Sequence, residues 1–369
     1  MPKIHHTPLN DLHIQWRGKM TDFSGYSLPL SYAGGGFIAE HIHTRTQASL
    51  FDASHMGQLT VSGSNAAETL SKLTPADVSH IAVGTTKYAV LTSDCGGVLD
   101  DFIIGNDGDR GFFIVFNASR KAVDIAHLRK HLPASCTITE MSTWALLALQ
   151  GPQAAAVMET ISATAVTLNF MHAGWFNIDG VECRITRGGY TGEDGFEISI
   201  PAKAAVNIAS QLAAHPAVKP AGLGARDSLR LEAGLCLYGH ELTENITPIE
   251  AGLLWSIPKH RREGGDYAGA DIITQQIANG PSRSLVGLRP QGKKVVRAGA
   301  KLRSTTGEDI GAVTSGLHGP SLQFAIALGF VKTPYAATGG IITAEVRGEW
   351  INCEVVKLPF VSHQYRRKS

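Results

Sequence analysis

A glycine-rich turn with three carboxylates is the part of this sequence best suited to chemistry. The turn, 188–197, joins two apolar segments, 181–186 and 196–200, that alternate with the period of a β-strand. In the second segment the alternate apolar residues share one face, so Glu197 must point to the other. A strand holds a carboxylate rigidly, as recognition of a planar ligand requires. The same pattern also fits an ordinary hairpin with a solvated polar face.

A second charged segment opens a predicted helix. A glycine turn at 222–224 precedes Arg226 and Arg230, which are spaced to lie on one helix face. Guanidinium groups in such positions can bind a carbonyl or carboxylate of a ligand. The segment also fits a helix whose arginines pair with nearby acids and whose Asp227 lies near the positive end of the helix.

Two adjacent aspartates, Asp100 and Asp101, follow a Gly-Gly pair and stand in a strand-like run, 99–104. Alternation directs their side chains to opposite faces, so only one of them can enter a pocket. Periodicity alone does not say which one. A carboxylate fixed beside a reacting group can stabilise developing positive charge and can receive or relay a proton.

The composition excludes several classes of function. Lys and Arg (33) nearly balance Asp and Glu (32), which argues against a nucleic-acid surface, and the basic cluster Arg366-Arg367-Lys368 fits a solvated tail. The best cluster of metal-ligating residue types is Glu40, His41 and His43. Its spacing suits no established zinc pattern, so we predict no metal site.

Cysteine usage and hydropathy predict the compartment. The five cysteines are scattered, odd in number and never in a C-x-x-C pair, which is typical of reduced thiols. No apolar run approaches the length of a membrane span, and the N-terminus lacks a signal-peptide core and the composition of a transit peptide. We therefore expect a cytoplasmic protein that has no membrane partner.

The elements that would position these residues are of mixed type. Pro152 is predicted in the first turn of a helix through 154–158, a second helix runs through 204–212, and 111–116 reads as a buried strand. After the turn at 279–282, short β-like segments separated by Gly and Pro predict a small closed or sandwich β-domain. These segments are 284–288, 309–314, 325–331, 341–346 and 351–356.

Further short motifs are distributed along the whole chain. They are Thr7-Pro8-Leu9, Lys19-Met20, Asp22-Phe23, the run 51–57, the run 96–101, Asn117-Ala118, Gln150-Gly151-Pro152, Tyr238-Gly239, Thr314-Ser315-Gly316 and Pro359-Phe360-Val361. Together with the glycine-rich turn and the arginine helix, they resemble the glycine-cleavage T-protein family, the aminomethyltransferases that use tetrahydrofolate. The departures, at Trp16-Arg17, Thr21 and 317–323, concern loop geometry rather than the site.

The resemblance implies a fold and a reaction. The fold is α+β multidomain: two interleaved α+β domains within residues 1–280 and a C-terminal β-barrel or jelly-roll-like domain at 283–365, around a central folate funnel. The reaction transfers the methylene of S-aminomethyl-dihydrolipoyl H-protein to tetrahydrofolate, releases ammonia and gives 5,10-methylenetetrahydrofolate. The lipoylated H-protein is then the expected partner, and tetrahydrofolate is the expected methylene acceptor.

The resemblance also implies roles for individual residues. The family assigns catalysis to the second aspartate of its pair, here Asp101, which leaves Asp100 to bind backbone or arginine groups. Glu197 matches the carboxylate that pairs with the two donors on the pterin edge, and Arg226 matches a second ligand-contacting position. The remaining cofactor-binding positions that match are Tyr365, Tyr190, Asn117 and Tyr88.

Several alternatives stay open. A tetrahydrofolate-dependent demethylase of a small methyl donor, such as a sulfonium compound, would differ around Asp101, where the residues here are ordinary. A non-enzymatic folate-binding protein of iron–sulfur maintenance would carry a distinctive cysteine motif near Cys236, which this chain lacks. Tyr88 also fits core packing, and His55 fits a buried hydrogen-bonded histidine as well as a ligand contact.

Overall fold

The computed structural model describes residues 4–367, so Lys368 of the basic tail lies outside the described residues. Over this range the chain forms eight α-helices and twenty β-strands. The helices are α1 (Asn10–Gln15), α2 (Gly36–Thr46), α3 (Ala66–Lys72), α4 (Lys121–His131), α5 (Ala154–Ile161), α6 (Ala202–Ala214), α7 (Leu223–Glu232) and α8 (Ala270–Asn279). The strands are β1 (His5–His6), β2 (Gly18–Phe23), β3 (Tyr26–Tyr32), β4 (Ala48–Asp52), β5 (Gly57–Gly63), β6 (Thr86–Thr92), β7 (Val98–Asn106), β8 (Phe112–Phe116), β9 (Cys136–Glu140), β10 (Trp144–Gln150), β11 (Ala173–Ile178), β12 (Val181–Arg187), β13 (Gly195–Pro201), β14 (Val218–Pro220), β15 (Arg283–Pro290), β16 (Lys301–Arg303), β17 (Asp309–Gly319), β18 (Phe324–Lys332), β19 (Ile341–Val346) and β20 (Glu349–Val356).

These strands form three open sheets and one closed barrel. The open sheets have the orders β1-β3-β2, β11-β12-β13-β10-β4-β14 and β6-β7-β8-β5-β9, and the barrel closes as β15-β18-β17-β16-β19-β20. The chain leaves the six-stranded sheet after β4, builds the five-stranded sheet and returns through β10, so the two sheets are interleaved in sequence. The predicted α+β class with a C-terminal β-barrel is confirmed. The domain boundaries at 280 and 283 stay predictions.

The hairpin that carries Glu197 belongs to the six-stranded sheet. Strands β12 and β13 pair antiparallel, with Thr186 opposite Glu197. Phe196, Ile198 and Ile200 are fully buried in the core on one side of β13, and each side chain contributes about 1.5–3 kcal/mol by leaving water. Glu197 is half-buried and points to the other side, as the alternation predicts.

The aspartate pair lies on β7 of the five-stranded sheet. Asp100, Phe102 and Ile104 are buried on one face of this strand. The two apolar side chains pack there with residues of α3 and α4 in one hydrophobic cluster. Asp101 lies on the opposite face and is half-buried. Because Phe102 pairs with Phe116 of β8, Asn117 follows β8 directly beside Asp101.

Two local predictions need correction. Helix α5 begins at Ala154 with Gln153 at its N-cap, so Pro152 precedes the helix instead of lying in its first turn. The Gly-Pro turn is held from outside the helix, since the amide of Gly151 donates to the carbonyl of Asp194 at 2.9 Å. The barrel also contains β16, which sequence analysis missed because three residues are too few to show a period.

Candidate functional site

Asn117 joins the two aspartates of β7. Its Nδ2 lies 2.7 Å from Oδ1 of Asp101 and 2.8 Å from Oδ1 of Asp100. Its backbone N–H also donates to Oδ2 of Asp100 at 3.1 Å. The fully buried Asp100 therefore binds the amide and backbone of Asn117 rather than an arginine, and Asp101 is the acid on the open face.

The surroundings of Asp101 favour its protonated form. Burial raises the pKa of Asp101 to about 7, and the negative charge of Asp100 acts in the same direction. Hydrogen bonds from Asn117 and Tyr88 oppose the rise in pKa. A carboxyl group that titrates near neutrality can accept and return a proton at physiological pH.

Two tyrosines stand beside Asp101. Tyr88 on β6 packs against a small apolar cluster and stacks on the exposed Trp255, with ring centroids 5.4 Å apart. Burial and then the charge of Asp101 raise the pKa of Tyr88 well above its ordinary value. The hydroxyl of Tyr190 donates to the carbonyl of Cys236, and burial raises the pKa of Tyr190 as well. Both phenols therefore stay neutral at physiological pH, and Tyr88 combines core packing with a position at the site.

Glu197 and Arg226 approach each other from β13 and from the first turn of α7. Within residues 4–367 no protein donor binds the Glu197 carboxylate, and Nη1 of Arg226 is buried without a partner. The guanidinium lies 4.9 Å above the ring of Tyr190. Burial raises the pKa of Glu197, and the charges of Arg226 and then Arg184 oppose this rise. The arrangement offers a ligand both an acceptor and a donor.

His55 adds a neutral group close enough to Arg226 to feel its charge. The side chain is buried, and its Nδ1 has no protein partner in the described part of the chain. Burial, with the charge of Arg226 next in importance, lowers the pKa of His55 to about 3. Its ring packs edge-on against Phe23, with centroids 5.5 Å apart. The imidazole is therefore uncharged at physiological pH and can bind a ligand atom or water through Nδ1.

Arg230 lies on the same helix but has a different task. It donates to Asp227 and Glu241, each at 2.9 Å, and to the hydroxyl of Ser315 at 2.8 Å. Ser315 belongs to β17, so Arg230 ties α7 to the barrel. The sequence allowed both arginines to pair with nearby acids. Arg230 forms such pairs, whereas Arg226 forms none within residues 4–367.

The three acids of the glycine-rich turn also separate by role. Arg45 donates to Glu193 at 2.9 Å, and Arg187 binds Asp194 through two nitrogens. Glu197 alone of the three keeps its carboxylate free of arginine contacts within residues 4–367. Arg187 directly precedes the turn, so its pairing with Asp194 is local in sequence. Arg45 is distant in sequence, and no sequence motif indicated its pairing with Glu193.

Gln150 explains why the turn needs glycine. Its amide donates to the carbonyl of Gly188 at 2.9 Å and accepts from the hydroxyl of Thr191 at 2.7 Å. A Cβ atom on Gly189 would lie 2.0 Å from Oε1 of Gln150, and one on Gly195 would lie 2.4 Å from Nε2. The backbone can therefore approach Gln150 only without side chains at these positions, which links the glutamine of the Gln-Gly-Pro motif to the glycines of the turn.

The C-terminal tail that carries Tyr365 contacts the turn. It stacks on Phe170 with centroids 4.0 Å apart, and the amide of the preceding Gln364 donates to the carbonyl of Gly192 at 2.8 Å. Burial raises the pKa of Tyr365 to about 12, and the positive charge of Arg45 opposes this rise. These contacts lie on the Arg45 side of the turn, so the role of Tyr365 in ligand binding stays a prediction.

Within residues 4–367, no group of three or more His, Cys, Asp or Glu side chains is arranged to hold a metal ion. Of the histidines singled out above, Nε2 of His41 lies 3.0 Å from the Glu232 carboxylate, and Nε2 of His43 lies 3.0 Å from the carbonyl of Ala217. Over the same residues, none of the helices has the length and apolar character needed to cross a membrane.

Comparison with known proteins gives matches over nearly the whole chain. Two family models match: the GCVT N-terminal domain over residues 9–261 and the glycine cleavage T-protein C-terminal barrel domain over residues 283–362. The mitochondrial aminomethyltransferase of Dictyostelium discoideum is 38% identical, covering 99% of this chain and 94% of that protein. The mitochondrial aminomethyltransferase of Mus musculus is 40% identical over 98% of this chain and 91% of that protein. The crystal structure of glycine cleavage system aminomethyltransferase T from Bartonella henselae has a TM-score of 0.93 at 41% identity, covering 99% of this chain and 100% of that one.

Proposed function

This chain belongs to the glycine cleavage T-protein family and is an aminomethyltransferase, and from that premise we propose that its methylene acceptor is tetrahydrofolate and its donor the S-aminomethyl-dihydrolipoyl arm of H-protein. The products are then 5,10-methylenetetrahydrofolate and ammonia. The observation that carries the choice of acceptor is the open Glu197 carboxylate beside Arg226, whose buried Nη1 lacks a protein partner within residues 4–367.

These two charges fit a pterin. Its 2-amino group and N3–H are donors on one edge, and a carboxylate accepts both at once, so Glu197 would hold that edge. Arg226 would donate to the pterin carbonyl, which satisfies a nitrogen that no protein group reaches. We add His55 to this set, because its buried Nδ1 also lacks a partner in the described residues. Tyr88 and Tyr190 would line the pocket through their ring faces.

Asp101 would stabilise charge and move the proton. Tetrahydrofolate, when bound, supplies nucleophilic N5 and N10 nitrogens, on which positive charge develops as they bond to carbon. A carboxylate fixed nearby stabilises that charge more in the transition state than in the ground state. Asn117 would fix the carboxylate of Asp101 through its 2.7 Å hydrogen bond. The pKa of Asp101, about 7, also suits it to accept and return a proton.

We propose a cytoplasmic location as well. The five cysteines are free thiols, which is usual in a reducing compartment. The two eukaryotic relatives named above are mitochondrial proteins, so the proposed location rests on the free thiols alone.

Ammonia release tests the proposed reaction. Purified protein should release ammonia from aminomethylated H-protein rapidly when tetrahydrofolate is present and far more slowly without it. A heat-denatured sample and unmodified H-protein serve as controls. A rate that does not respond to tetrahydrofolate would exclude folate as the acceptor.

Glu197→Gln is expected to weaken tetrahydrofolate binding by at least ~1.5 kcal/mol. The amide loses the charge and presents a donor where the pterin also presents donors. Calorimetric titration of the purified variant measures the change. Glu182→Gln on the neighbouring strand β12 is a matched control, because Glu182 forms an exposed pair with Arg110. An unchanged dissociation constant for Glu197→Gln would mean that this strand face does not bind the pterin.

A further inference from the structure

Asp124 is a buried acid that the proposed reaction does not use. It lies on α4, is 2% exposed, and within residues 4–367 neither of its carboxyl oxygens receives a hydrogen bond from an N–H or O–H group. Its side chain instead meets the carboxyl group of Asp100, which is 0% exposed. Two carboxylates are both acceptors, so they can bond only if a proton lies between them.

The groups around this pair favour such a proton. Asp101 adds a negative charge, Tyr238 is neutral, and Arg120 supplies a positive charge that opposes protonation of Asp124. Burial and then the contact with Asp100 outweigh the arginine and raise the pKa of Asp124 to about 9. Burial also raises the pKa of Asp100. Two like charges in one buried site cannot both ionise near neutrality.

The pair is connected to the open face of β7. Asn117 donates to both oxygens of Asp100, and its Nδ2 also donates to Asp101. A continuous set of contacts therefore runs from Asp124 through Asp100 and Asn117 to Asp101. The charge carried by Asp100 determines how strongly it holds the amide and how strongly it repels negative charge on Asp101.

We propose that Asp124 is a positioning residue that shares one proton with Asp100, keeps the pair at a single negative charge, and thereby holds Asn117 and Asp101 in place for the reaction. The positioning role rests on the proposed function of Asp101. The shared proton does not, because it follows from the burial and contacts of Asp100 and Asp124 alone.

Two variants of Asp124 distinguish the effect of its hydrogen-bond donor from the effect of filling its space. Asp124→Asn keeps a donor toward Asp100, so the acid limb of the pH profile of kcat/KM should stay within about 0.3 pH units of wild type. Asp124→Leu fills the space without a donor, so Asp100 takes the proton itself and its charge no longer raises the pKa of Asp101. The acid limb should then move to lower pH by about 0.5 units or more.

Stability as a function of pH reports the shared proton without any assay of activity. The folded pKa of Asp124 lies above the unfolded value of about 4, so the folded protein holds a proton that the unfolded chain releases. Wild type should therefore lose stability as pH rises from about 4 toward about 9, a loss that Asp124→Asn avoids. The urea midpoint of Asp124→Asn should exceed that of wild type by a margin that grows between pH 5 and pH 8.

Each result decides one part of the proposal. A difference in urea midpoint that does not change with pH would overturn the shared proton. An acid limb that stays in place in Asp124→Leu would overturn the positioning role. If Asp124→Leu does not fold, an acid limb displaced in Asp124→Asn overturns that role instead. If even wild type releases no ammonia from aminomethylated H-protein, the proposed function fails, while the stability comparison still decides the shared proton.

Discussion

Asp101→Asn should lower turnover about 10²-fold or more while leaving tetrahydrofolate binding nearly unchanged. The amide is close in shape to the carboxyl group, and it lacks the charge and the proton affinity that the proposed role of Asp101 requires. Because that charge helps the transition state more than the ground state, the loss falls on kcat rather than on binding. Steady-state assays with aminomethylated H-protein and calorimetric titration with tetrahydrofolate measure the two effects separately.

The same substitution should change the pH profile. Wild-type activity should rise with pH through about 7 as Asp101 loses its proton, and the variant should lack this limb. Stability should change in the opposite sense to activity. The folded pKa of Asp101 lies above its unfolded value, so wild type loses stability as pH rises from about 4 to about 7. The variant should therefore be at least as stable as wild type at pH 8, which would exclude unfolding as the cause of lost turnover.

Asp100→Asn is the neighbouring control. Asp100 is buried and bound to Asn117, so its substitution should reduce turnover less than that of Asp101. An Asp101→Asn variant that retained more than a third of wild-type turnover would rule out the catalytic assignment. A severe loss confined to Asp100→Asn would transfer the role to that residue.

The carrier protein is expected to have an effect of similar size. Free aminomethyl-dihydrolipoic acid should be used about 10²-fold or more less efficiently than the same group on H-protein, measured as kcat/KM. The arm itself offers few contacts, so much of the binding free energy must come from contact between the two protein surfaces. Parallel assays with both donors at equal tetrahydrofolate concentration give the ratio.

The dependence of activity on salt concentration tests whether electrostatic attraction contributes to docking of H-protein. The formal net charge of the chain is only +1, so any electrostatic attraction must come from a local basic patch. Its benefit should fade between low and physiological salt, where the screening length falls to about 8 Å. Equal efficiency with free and carried donors would refute docking. Activity with a methyl sulfonium compound and with neither aminomethyl donor would instead favour the demethylase.

Several features of the site follow from the sequence alone. The period of a strand directs Glu197 away from the apolar residues beside it and separates Asp100 from Asp101, because successive side chains on a strand alternate whatever packs around them. The order of the short motifs indicated the family and its reaction. Both kinds of information are local: each motif is a few consecutive residues, and each alternation is a property of one strand.

The tertiary structure decided which of the two aspartates faces the open side of its sheet and which of the two arginines is bound by protein groups. Asp101 rather than Asp100 faces the open side, because helices α3 and α4 cover the face of β7 that carries Phe102. Arg226 keeps an unpaired nitrogen within residues 4–367, whereas Arg230 is bound to groups that include Ser315 of the barrel. The buried contact of Asp124 with Asp100 had no sequence signal at all. Such pairings join residues far apart in the chain, and they depend on how whole elements pack, which the period of a single element does not encode.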